Sequence, residues 1–463
     1  MTLKALLLAA VLSATPALAQ TSGEAAFRSL YKEMVETDTS ITTGSCTVAA
    51  EKLAVRLKAA GYADDAITLF ADAKFPKEGG IVAVLPGKDK KAKAMLLLGH
   101  LDVVVAKRED WTRDPYVLIE ENGFFYGRGT VDDKSQAAIF TDILIRLKQA
   151  GKAPKRTIKL ALTCGEETTW AFNGADWLAK NRPELIAAEF ALNEGGGGRL
   201  SPDGKRQGLA VQVGEKTVQN YILTATNPGG HSSVPRPDNA ITDLSRALVA
   251  INVHEFPVQF NDTTRAYFSG IAPVLPPAYG AAITRLLANP ADAEANAIVS
   301  QDPTNHSVLR TTCVATTIEA GHAENALAQR ASANVNCRMF PGTDPEALKA
   351  ILGSIIGNTR VGITLKLPVR PVAVAPPLNP AVIGPMKAVA AKHFPGVPVL
   401  SMMSTGATDA IYIAPIGIPV YGAPGLFLDS DGNGVHGLNE RVRVDSLMRA
   451  RDYLMDLVTT LAG

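Results

Sequence analysis

The stretch "AMLLLGHLDVVV", residues 94–105, decides the fold class. Its short apolar run with branched residues is typical of a buried strand that ends near His100. A helical pattern, "DDKSQAAIFTDILIRLKQAG", follows at residues 132–151, and two strand-like runs, "TIKLALT" and "EFALN", occupy residues 157–163 and 189–193. Strands that alternate with helices predict an α/β fold with a mostly parallel sheet flanked by helices.

The chain changes character after Val213. Three later segments alternate polar and apolar residues as antiparallel strands do, at residues 216–228, 310–320 and 330–340. If the last two form a hairpin centred near Asn325, Cys313 faces Cys337, and geometry decides whether they form a disulfide. No C-x-x-C spacing occurs, so a thiolate metal site is not expected.

These patterns predict four regions along the chain. They are a signal peptide, a first part of an α/β domain, an inserted α+β domain and a second part of the α/β domain, at residues 1–19, 20–213, 214–344 and 345–463. The family resemblance given below implies that the α/β parts form a catalytic domain and that the insert is a lid or dimerisation domain.

The first region resembles a secretory signal. Lys4 precedes an apolar run, and Ala-Leu-Ala ends at Ala19, where cleavage is expected. The run is too short to span a bilayer, so we expect a secreted or periplasmic protein with no membrane attachment after cleavage. Export permits disulfides, although Cys46 and Cys164 are harder to pair from the sequence.

Charge excludes some partner classes. The chain has 463 residues with 46 basic and 45 acidic side chains, and loss of Lys4 makes the balance even. A neutral chain gives no reason to expect nucleic acid or an anionic membrane as partner.

Metal-binding side chains follow the predicted strands. They are His100, Glu166, Glu167 and Glu194, with Asp132 and Asp133 in a glycine-bearing loop before a helix. Each alone could be a solvated loop residue or a helix cap. Together they suggest a site at the carboxyl edge of the sheet, where ligands of α/β proteins gather. Imidazole and carboxylate without cysteine favour hydrolytic zinc, cobalt or manganese, and the surplus of carboxylates suggests two ions that share one.

Six segments in order carry a family resemblance: "GHLDVV", "YGRGTVDDK", "CGEE", "LNEGG", "NPGGHSSVP" and "VHGLNE". From about Phe27 to the C-terminus the chain resembles the dizinc metallopeptidase family of aminoacylase, carnosinase, bacterial glutamate carboxypeptidase, succinyl-diaminopimelate desuccinylase and yeast carboxypeptidase S. The resemblance implies two Zn²⁺ per chain, with Co²⁺ or Mn²⁺ as possible substitutes, held by His100, Asp132, Glu167, Glu194 and His436.

The resemblance also implies how the ligands are shared. Asp132 would bridge both ions, and the peptide bond after it would be cis. Glu167 would complete one ion with His436 or with Glu194, and the sequence leaves that pairing open.

Catalytic roles follow from the same resemblance. Glu166 would be the general base that activates a metal-bridging water, and Asp102 would hydrogen-bond His100 and fix its tautomer. His231, often supplied by a partner subunit in this family, would stabilise the oxyanion. One departure is Gly165, which stands where the family usually has an acid.

Three residues are candidates for substrate binding. Arg338 resembles the arginine that grips a substrate carboxylate, a task for which a guanidinium fork is suited. Asn325 and Gly406 resemble residues that line the pocket beside the oxyanion.

A calcium loop is the competing interpretation of one segment. "DSDGNGVHGLNE", residues 429–440, matches the pattern of a calcium-binding loop. Such a loop needs helices on both sides, and the preceding "IGIPVYGAPGLF" is rich in proline and glycine. His436 is therefore expected to be a zinc ligand, with Asp429 and Asp431 in a solvated turn.

The predicted function is that of a carboxypeptidase-like exopeptidase, because the long helical insert resembles the carboxypeptidase S side of the family. The alternatives are a dipeptidase or an N-acyl-amino-acid amidohydrolase, with a peptide or N-acyl amino acid as substrate. A more distant alternative is a non-catalytic calcium- or peptide-binding module. A homodimer through the insert is possible, and the sequence leaves open the side-chain preference, the native metal and the oligomeric state.

Overall fold

The computed structural model describes residues 23–168, 172–423 and 425–463. The predicted signal peptide therefore lies outside the described residues. Within this part of the chain, no helix combines the length and the hydropathy needed to cross a bilayer.

The described residues form helices and strands numbered here in chain order. The helices are α1 Glu24–Glu36, α2 Cys46–Ala59, α3 Lys134–Gln149, α4 Gly174–Asn181, α5 Pro183–Ile186, α6 Ala240–Val253, α7 Asp262–Ile271, α8 Pro277–Ala288, α9 Ala293–Val299, α10 Pro303–Val308, α11 Pro345–Ile356, α12 Pro380–His393, α13 Ala410–Ile413 and α14 Val444–Ala462. The strands are β1 Ile67–Asp72, β2 Phe75–Leu85, β3 Met95–His100, β4 Ile119–Glu121, β5 Phe124–Tyr126, β6 Ile158–Thr163, β7 Phe190–Asn193, β8 Gly197–Leu200, β9 Arg206–Glu215, β10 Thr217–Thr226, β11 Gly230–His231, β12 Thr312–Ala320, β13 Ala326–Leu327, β14 Arg330–Met339, β15 Val361–Leu365, β16 Val399–Ser404, β17 Val420–Gly422, β18 Phe427–Leu428 and β19 Arg441–Arg443.

The main sheet has ten strands in the order β1-β2-β6-β3-β7-β17-β9-β8-β18, with β16 paired to β9. Strand β3 lies parallel to both β6 and β7. All six of its residues are buried, which explains why its sequence is continuously apolar rather than alternating. The predicted α/β fold with a mostly parallel sheet is confirmed.

Helices cover both faces of this sheet. Met95 and Leu97 of β3 pack into the core shared with α1, α2, α3 and α14. Leu96 and Leu98 point to the other face, where the core includes residues of α4 and α13. Because both faces are covered, the edge formed by the strand ends is where polar side chains can collect.

The insert is built on a second sheet, in the order β12-β14-β10-β15, with α6 and α11 packed against it. It begins two residues after β9 ends, at Thr217. Strand β15, at Val361–Leu365, pairs with β10, so the insert sheet extends past the domain boundary predicted at residue 344. An amphipathic helix such as α11 has the same pattern whichever sheet it covers, so its sequence could not mark the boundary.

Two disulfides join the four cysteines. Cys313 lies opposite Cys337 in the β12–β14 pair, and the two cysteines form the disulfide that the sequence left open. Cys46 and Cys164 form the second, across 118 positions of sequence.

Candidate metal centre and active site

His100 is the last residue of β3 and is buried. Its Nδ1–H donates to the backbone carbonyl of Asp102 at 3.0 Å. The nearer carboxylate oxygen of Asp102 lies 3.6 Å away, so the predicted bond to His100 is made by the carbonyl rather than the carboxylate. Either partner fixes the same tautomer and leaves the Nε2 lone pair facing the carboxylates of the site.

Asp132 lies between the two histidines. His100 Nε2 is 3.1 Å from Asp132 Oδ1, and His436 Nε2 is 3.1 Å from Asp132 Oδ2. The peptide bond between Asp132 and Asp133 is cis, as the family resemblance implied. One carboxylate thus faces both imidazoles, which is the arrangement that a bridging ligand requires.

A further carboxylate stands beside each imidazole. Glu194, directly after β7, has Oε2 at 3.8 Å from His100 Nε2. Glu167, four residues after β6 ends, has Oε1 at 2.9 Å from His436 Nε2. These contacts place Glu194 beside His100 and Glu167 beside His436, while donor atoms of His100, Asp132 and Glu167 also lie within 4.8 Å of one another.

The donor atoms fit a pair of divalent cations. Ligands of a tetrahedral zinc ion at about 2.1 Å from the metal lie about 3.4 Å apart, close to the observed separations. Glu194 Oε1 is buried and has no hydrogen-bond partner among the described residues. With Nδ1 of His100 committed as a donor, its Nε2 lone pair faces carboxylate oxygens, an arrangement that a cation between them would stabilise.

The electrostatics of the ion-free site show the same need for positive charge. Burial raises the pKa of Glu194 to about 7. Hydrogen bonds to Asp132 and Glu167 raise the pKa of His436 to about 10. Burial lowers the pKa of His100, but Glu194, Asp102 and Asp132 outweigh it and raise the pKa well above its usual range. Protons therefore occupy the positions that cations would take.

Glu166 lies half-buried in the same cleft. Its backbone N–H donates to Asp102 Oδ1 at 3.3 Å, and that of Glu167 donates to Asp102 Oδ2 at 3.0 Å. Burial first, and then the charge of Glu194, raise the pKa of Glu166 well above its usual range. The Asp102 carboxylate therefore holds the loop of Glu166 and Glu167, a role that the sequence did not indicate.

Glu440 is a second residue that sequence analysis missed. Its buried carboxylate accepts hydrogen bonds from the N–H groups of Gly129, Val131 and Asp132 and from Arg128 Nη1. It joins the loop of Asp132 to the loop of His436, four residues before it. Glu440 ends "VHGLNE", one of the segments of the family resemblance, and it is also the last acid of the calcium-loop pattern, but neither interpretation gave it this role.

The acids of the predicted turn do not form a calcium cage. Asp429 pairs with Arg443, Asp431 pairs with Arg441, and Glu440 is committed to the contacts above. His436, in contrast, directs its imidazole to Asp132 and Glu167.

A cleft of about 430 Å³ opens over Glu166, Glu167 and His436. Arg338, on β14, and Gly406 line it, as predicted. Arg370 and Lys366 also line it, and neither has an ion pair among the described residues. Burial, and then the charge of Arg370 in the same cleft, lower the pKa of Arg338. No motif marks Arg370 or Lys366, so only the fold could reveal them.

His231 and Asn325 lie elsewhere on the insert. His231 is exposed in β11, where its Nδ1 is 2.7 Å from the Ser233 hydroxyl. Asn325 is exposed beside it, and its carbonyl accepts from the Ser232 N–H. Neither is among the residues that line the cleft, so the structure does not bring these two predicted residues to the site within one chain.

Comparison with known proteins gives consistent matches. The sequence model of peptidase family M20/M25/M40 matches residues 96–460. The human N-fatty-acyl-amino acid synthase/hydrolase PM20D1 is 25% identical over 399 residues, which are 84% of this chain and 78% of that protein. The crystal structure of an M20 family metallo-carboxypeptidase from Sulfolobus solfataricus has a TM-score of 0.72 at 18% identity, covering 94% of this chain and 99% of that one. Human carnosine dipeptidase 1 has a TM-score of 0.65 at 14% identity, covering 95% of this chain and 97% of that one. At such identities, the structural matches show the fold alone.

Proposed function

The chain belongs to peptidase family M20/M25/M40, and we propose that it is an exported dinuclear-zinc hydrolase that acts as a carboxypeptidase-like exopeptidase. That it is a metal-dependent hydrolase follows from the family. The observation that carries the finer proposal is one cleft whose lining includes Glu166, His436 and Arg338. It combines an acid beside the metal-ligand cluster with a cation suited to a substrate carboxylate.

Two ions would occupy the cluster of imidazoles and carboxylates. One would be held by His100, Asp132 and Glu194, and the other by His436, Asp132 and Glu167, as the contacts pair them. When bound, the ions polarise the scissile carbonyl and lower the pKa of the attacking water.

Glu166 would move the proton. It takes one from the attacking water and gives it to the leaving nitrogen, the double duty of a general base and acid. Its backbone N–H is held by Asp102, and its side chain lines the cleft, with no side-chain hydrogen bond to another of the described residues. His231 of a second chain would add an oxyanion donor, a contribution of about 2.7–4 kcal/mol in other enzymes.

Arg338 would bind the substrate's terminal carboxylate. Its Nε–H donates to Asn336 at 3.1 Å, which orients the guanidinium without neutralising it. Arg370 and Lys366 strengthen the positive potential of the same wall. A C-terminal carboxylate bound there selects exopeptidase substrates over internal bonds.

An N-acyl-amino-acid amidohydrolase is the second candidate, and a second pocket favours it. This pocket, of about 190 Å³, is lined by Asp132, Glu194 and the apolar side chains of Leu426, Leu428 and Val435. A scissile amide at the metal cluster would then have a carboxylate group in the cationic cleft and an apolar acyl group on the other side. The human relative is named for N-fatty-acyl amino acids, in keeping with this candidate.

A substrate panel on the zinc-loaded mature protein tests both candidates. It should contain N-acyl amino acids of increasing chain length, unblocked dipeptides, longer peptides, and the C-terminal amide of each compound. We expect the free acids to be cleaved and the amides to be poor substrates, with Arg338→Ala removing that difference. Arg330→Ala, an exposed arginine on the same strand, is the matched control. Equal cleavage of acids and amides would contradict the carboxylate-binding role.

Export is proposed because residues 1–19 resemble a secretory signal. N-terminal sequencing of protein recovered from the periplasm or medium should begin at Gln20. An intact N-terminus in the cytoplasm would contradict export without affecting the chemistry.

A further inference from the structure

The Cys46–Cys164 disulfide lies beside the loop that carries Glu166 and Glu167. It links the first residue of α2 to the residue that follows β6, and both cysteines are at most 3% exposed. We propose that this disulfide is a positioning device that fixes Glu166 and Glu167 in the active site. The inference rests on the proposed function, in which these two residues are the base and a ligand.

The chain between Cys164 and Glu166 is short and tightly folded. The Cys164 carbonyl accepts from Gly174 N–H at 2.7 Å. Gly165 has φ of +93°, and a Cβ there would lie 1.9 Å from the Phe172 carbonyl oxygen. A shift of Cys164 should therefore be passed on to Glu166, because one residue separates them and that residue, Gly165, packs closely against the Phe172 carbonyl.

The disulfide also packs against the carboxylate that holds the loop. The sulfur atoms of Cys46 and Cys164 and a carboxylate oxygen of Asp102 lie within 4.8 Å of one another. That carboxylate accepts the N–H groups of Glu166 and Glu167. Disulfide and carboxylate thus form one buried support under both glutamates.

The other end of the disulfide is fixed to the main sheet. Cys46 is flanked by Ser45, whose hydroxyl donates to the Lys77 carbonyl, and by Thr47, whose hydroxyl donates to the Pro76 carbonyl. Lys77 and Pro76 belong to β2. The disulfide therefore connects the catalytic loop to a point that cannot move without the sheet.

Other contacts would keep the loop folded without the disulfide. Asn173 Nδ2 donates to the Gly165 carbonyl at 3.1 Å and to Asp409 Oδ1 at 2.6 Å. These bonds hold the loop's fold, but they act on backbone and on the far end of the loop. Loss of the disulfide should therefore displace Glu166 and Glu167 by a small amount rather than unfold the region.

The test compares two double variants of the full, zinc-loaded chain. Cys46→Ala/Cys164→Ala removes the proposed support, and Cys313→Ala/Cys337→Ala removes the other disulfide, which lies in the insert sheet. For the best substrate of the wild type, kcat and KM are measured well below each melting temperature. Zinc affinity is measured by competition with a chelator.

We expect the first variant to lose kcat by about tenfold to a hundredfold, the scale of a small misplacement of a reacting group. Its KM should stay near the wild-type value, because Arg338 lies on the insert. Its zinc affinity should fall, because Glu167 is in the displaced loop. The second variant should keep kcat and zinc affinity, although both variants lose thermal stability.

Wild-type kcat and zinc affinity in the first variant would overturn the proposal, as would equal losses of kcat in both variants. If the first variant does not fold, the single variant Cys46→Ser takes its place, because it breaks the disulfide but keeps the Cys164 side chain. It is compared with the second variant in the same two measurements. An inactive wild type would contradict the proposed function instead, and the zinc competition would still decide the role of the disulfide.

Discussion

At the scale of single residues, two neighbouring glutamates have different surroundings, and the proposed function gives them different roles. Glu166 lines the cleft and is in none of the ion pairs among the described residues, whereas Glu167 contacts His436 at 2.9 Å. Glu166→Gln should therefore keep both zinc ions and the fold but lose turnover by at least about a hundredfold, the usual contribution of a general base. Single-turnover kinetics with zinc analysis by mass spectrometry measures both quantities.

Glu167→Gln is the matched control for that variant. It changes the same group one position along the same loop, but its main effect should be weaker zinc binding. Near-normal turnover in the Glu166 variant, or zinc loss equal to that of the Glu167 variant, would remove Glu166 from its role as base.

The raised pKa values predict that zinc binding releases protons. In the ion-free protein at pH 7, His436 has a pKa of about 10 and is protonated. Glu194, with a pKa of about 7, is about half protonated, and the pKa of His100 lies well above its usual range. A metal ion needs the unprotonated forms, so binding should release the proton of His436, about half a proton from Glu194 and a further contribution from His100, and it should tighten as pH rises from 6 to 9.

Calorimetry in two buffers of different ionisation enthalpy counts these protons. The number of released protons should fall as pH rises through 10, because His436 then loses its proton before the metal binds. Zinc affinity that does not change between pH 6 and pH 8 would contradict the pKa directions and the ligand assignment together.

At the scale of elements, the site depends on contacts between loops that are far apart in sequence. Glu440 joins the Asp132 loop to the His436 loop and is buried with Arg128, whose Nη1 lies 2.8 Å away. Burial raises the pKa of Glu440, and Arg128 lowers it in part. Glu440→Gln would leave the Arg128 guanidinium buried without an anion, so we expect a loss of about 3–5 kcal/mol in the free energy of unfolding.

Urea unfolding of the ion-free protein measures that loss. Asp431→Asn is the matched control, because Asp431 pairs with Arg441 in the same loop but is exposed. An exposed pair contributes about 0–1 kcal/mol, so the control should unfold almost as the wild type does. Equal effects of the two substitutions would contradict the role of Glu440 as the link between the loops.

The elements that sequence analysis predicted are those with a strong local pattern. Strand β3 is continuously apolar, and α3 buries Phe140, Ile143, Leu144 and Leu147. Strand β14 alternates buried and half-buried residues, whereas the edge strand β12 is mostly exposed. The metal-ligand candidates were found because each stands directly after a strand or in a motif.

What the sequence could not show depends on distance in the chain. Cys46 and Cys164 are 118 positions apart, and no local period connects them. Arg370 follows β15 without a motif, and it reaches the cleft only because β15 pairs with β10. The Asp102 carboxylate was expected at His100, but the backbone carbonyl is better placed, which leaves the carboxylate for the next loop.

At the scale of the whole molecule, residues of the main sheet and residues of the insert line the same cleft. Glu166, Glu167 and His436 come from the main sheet and its loops, while Gln219 and Arg338 come from strands of the insert. Under the proposed function, a substrate in this cleft would contact residues of both sheets, so a change in the relative position of the sheets would alter the fit of a carboxylate at Arg338 to the metal cluster.

The exposed position of His231 gives a prediction about assembly. His231 does not line the cleft of its own chain, and the family resemblance assigns it to the oxyanion. If the protein is a dimer in which each insert supplies His231 to the other chain, His231→Ala and Glu166→Gln should each be nearly inactive alone. A mixed dimer, however, contains one site with both an intact Glu166 and an intact His231.

Unfolding and refolding an equal mixture of the two variants should therefore restore activity. Random pairing makes half of the dimers mixed, with one complete site in each, so recovery should be about a quarter of the wild-type rate. The same mixture without subunit exchange is the control and should stay inactive. If His231 acts within its own chain, no pairing of the variants makes a complete site, and the refolded mixture would remain as inactive as its components.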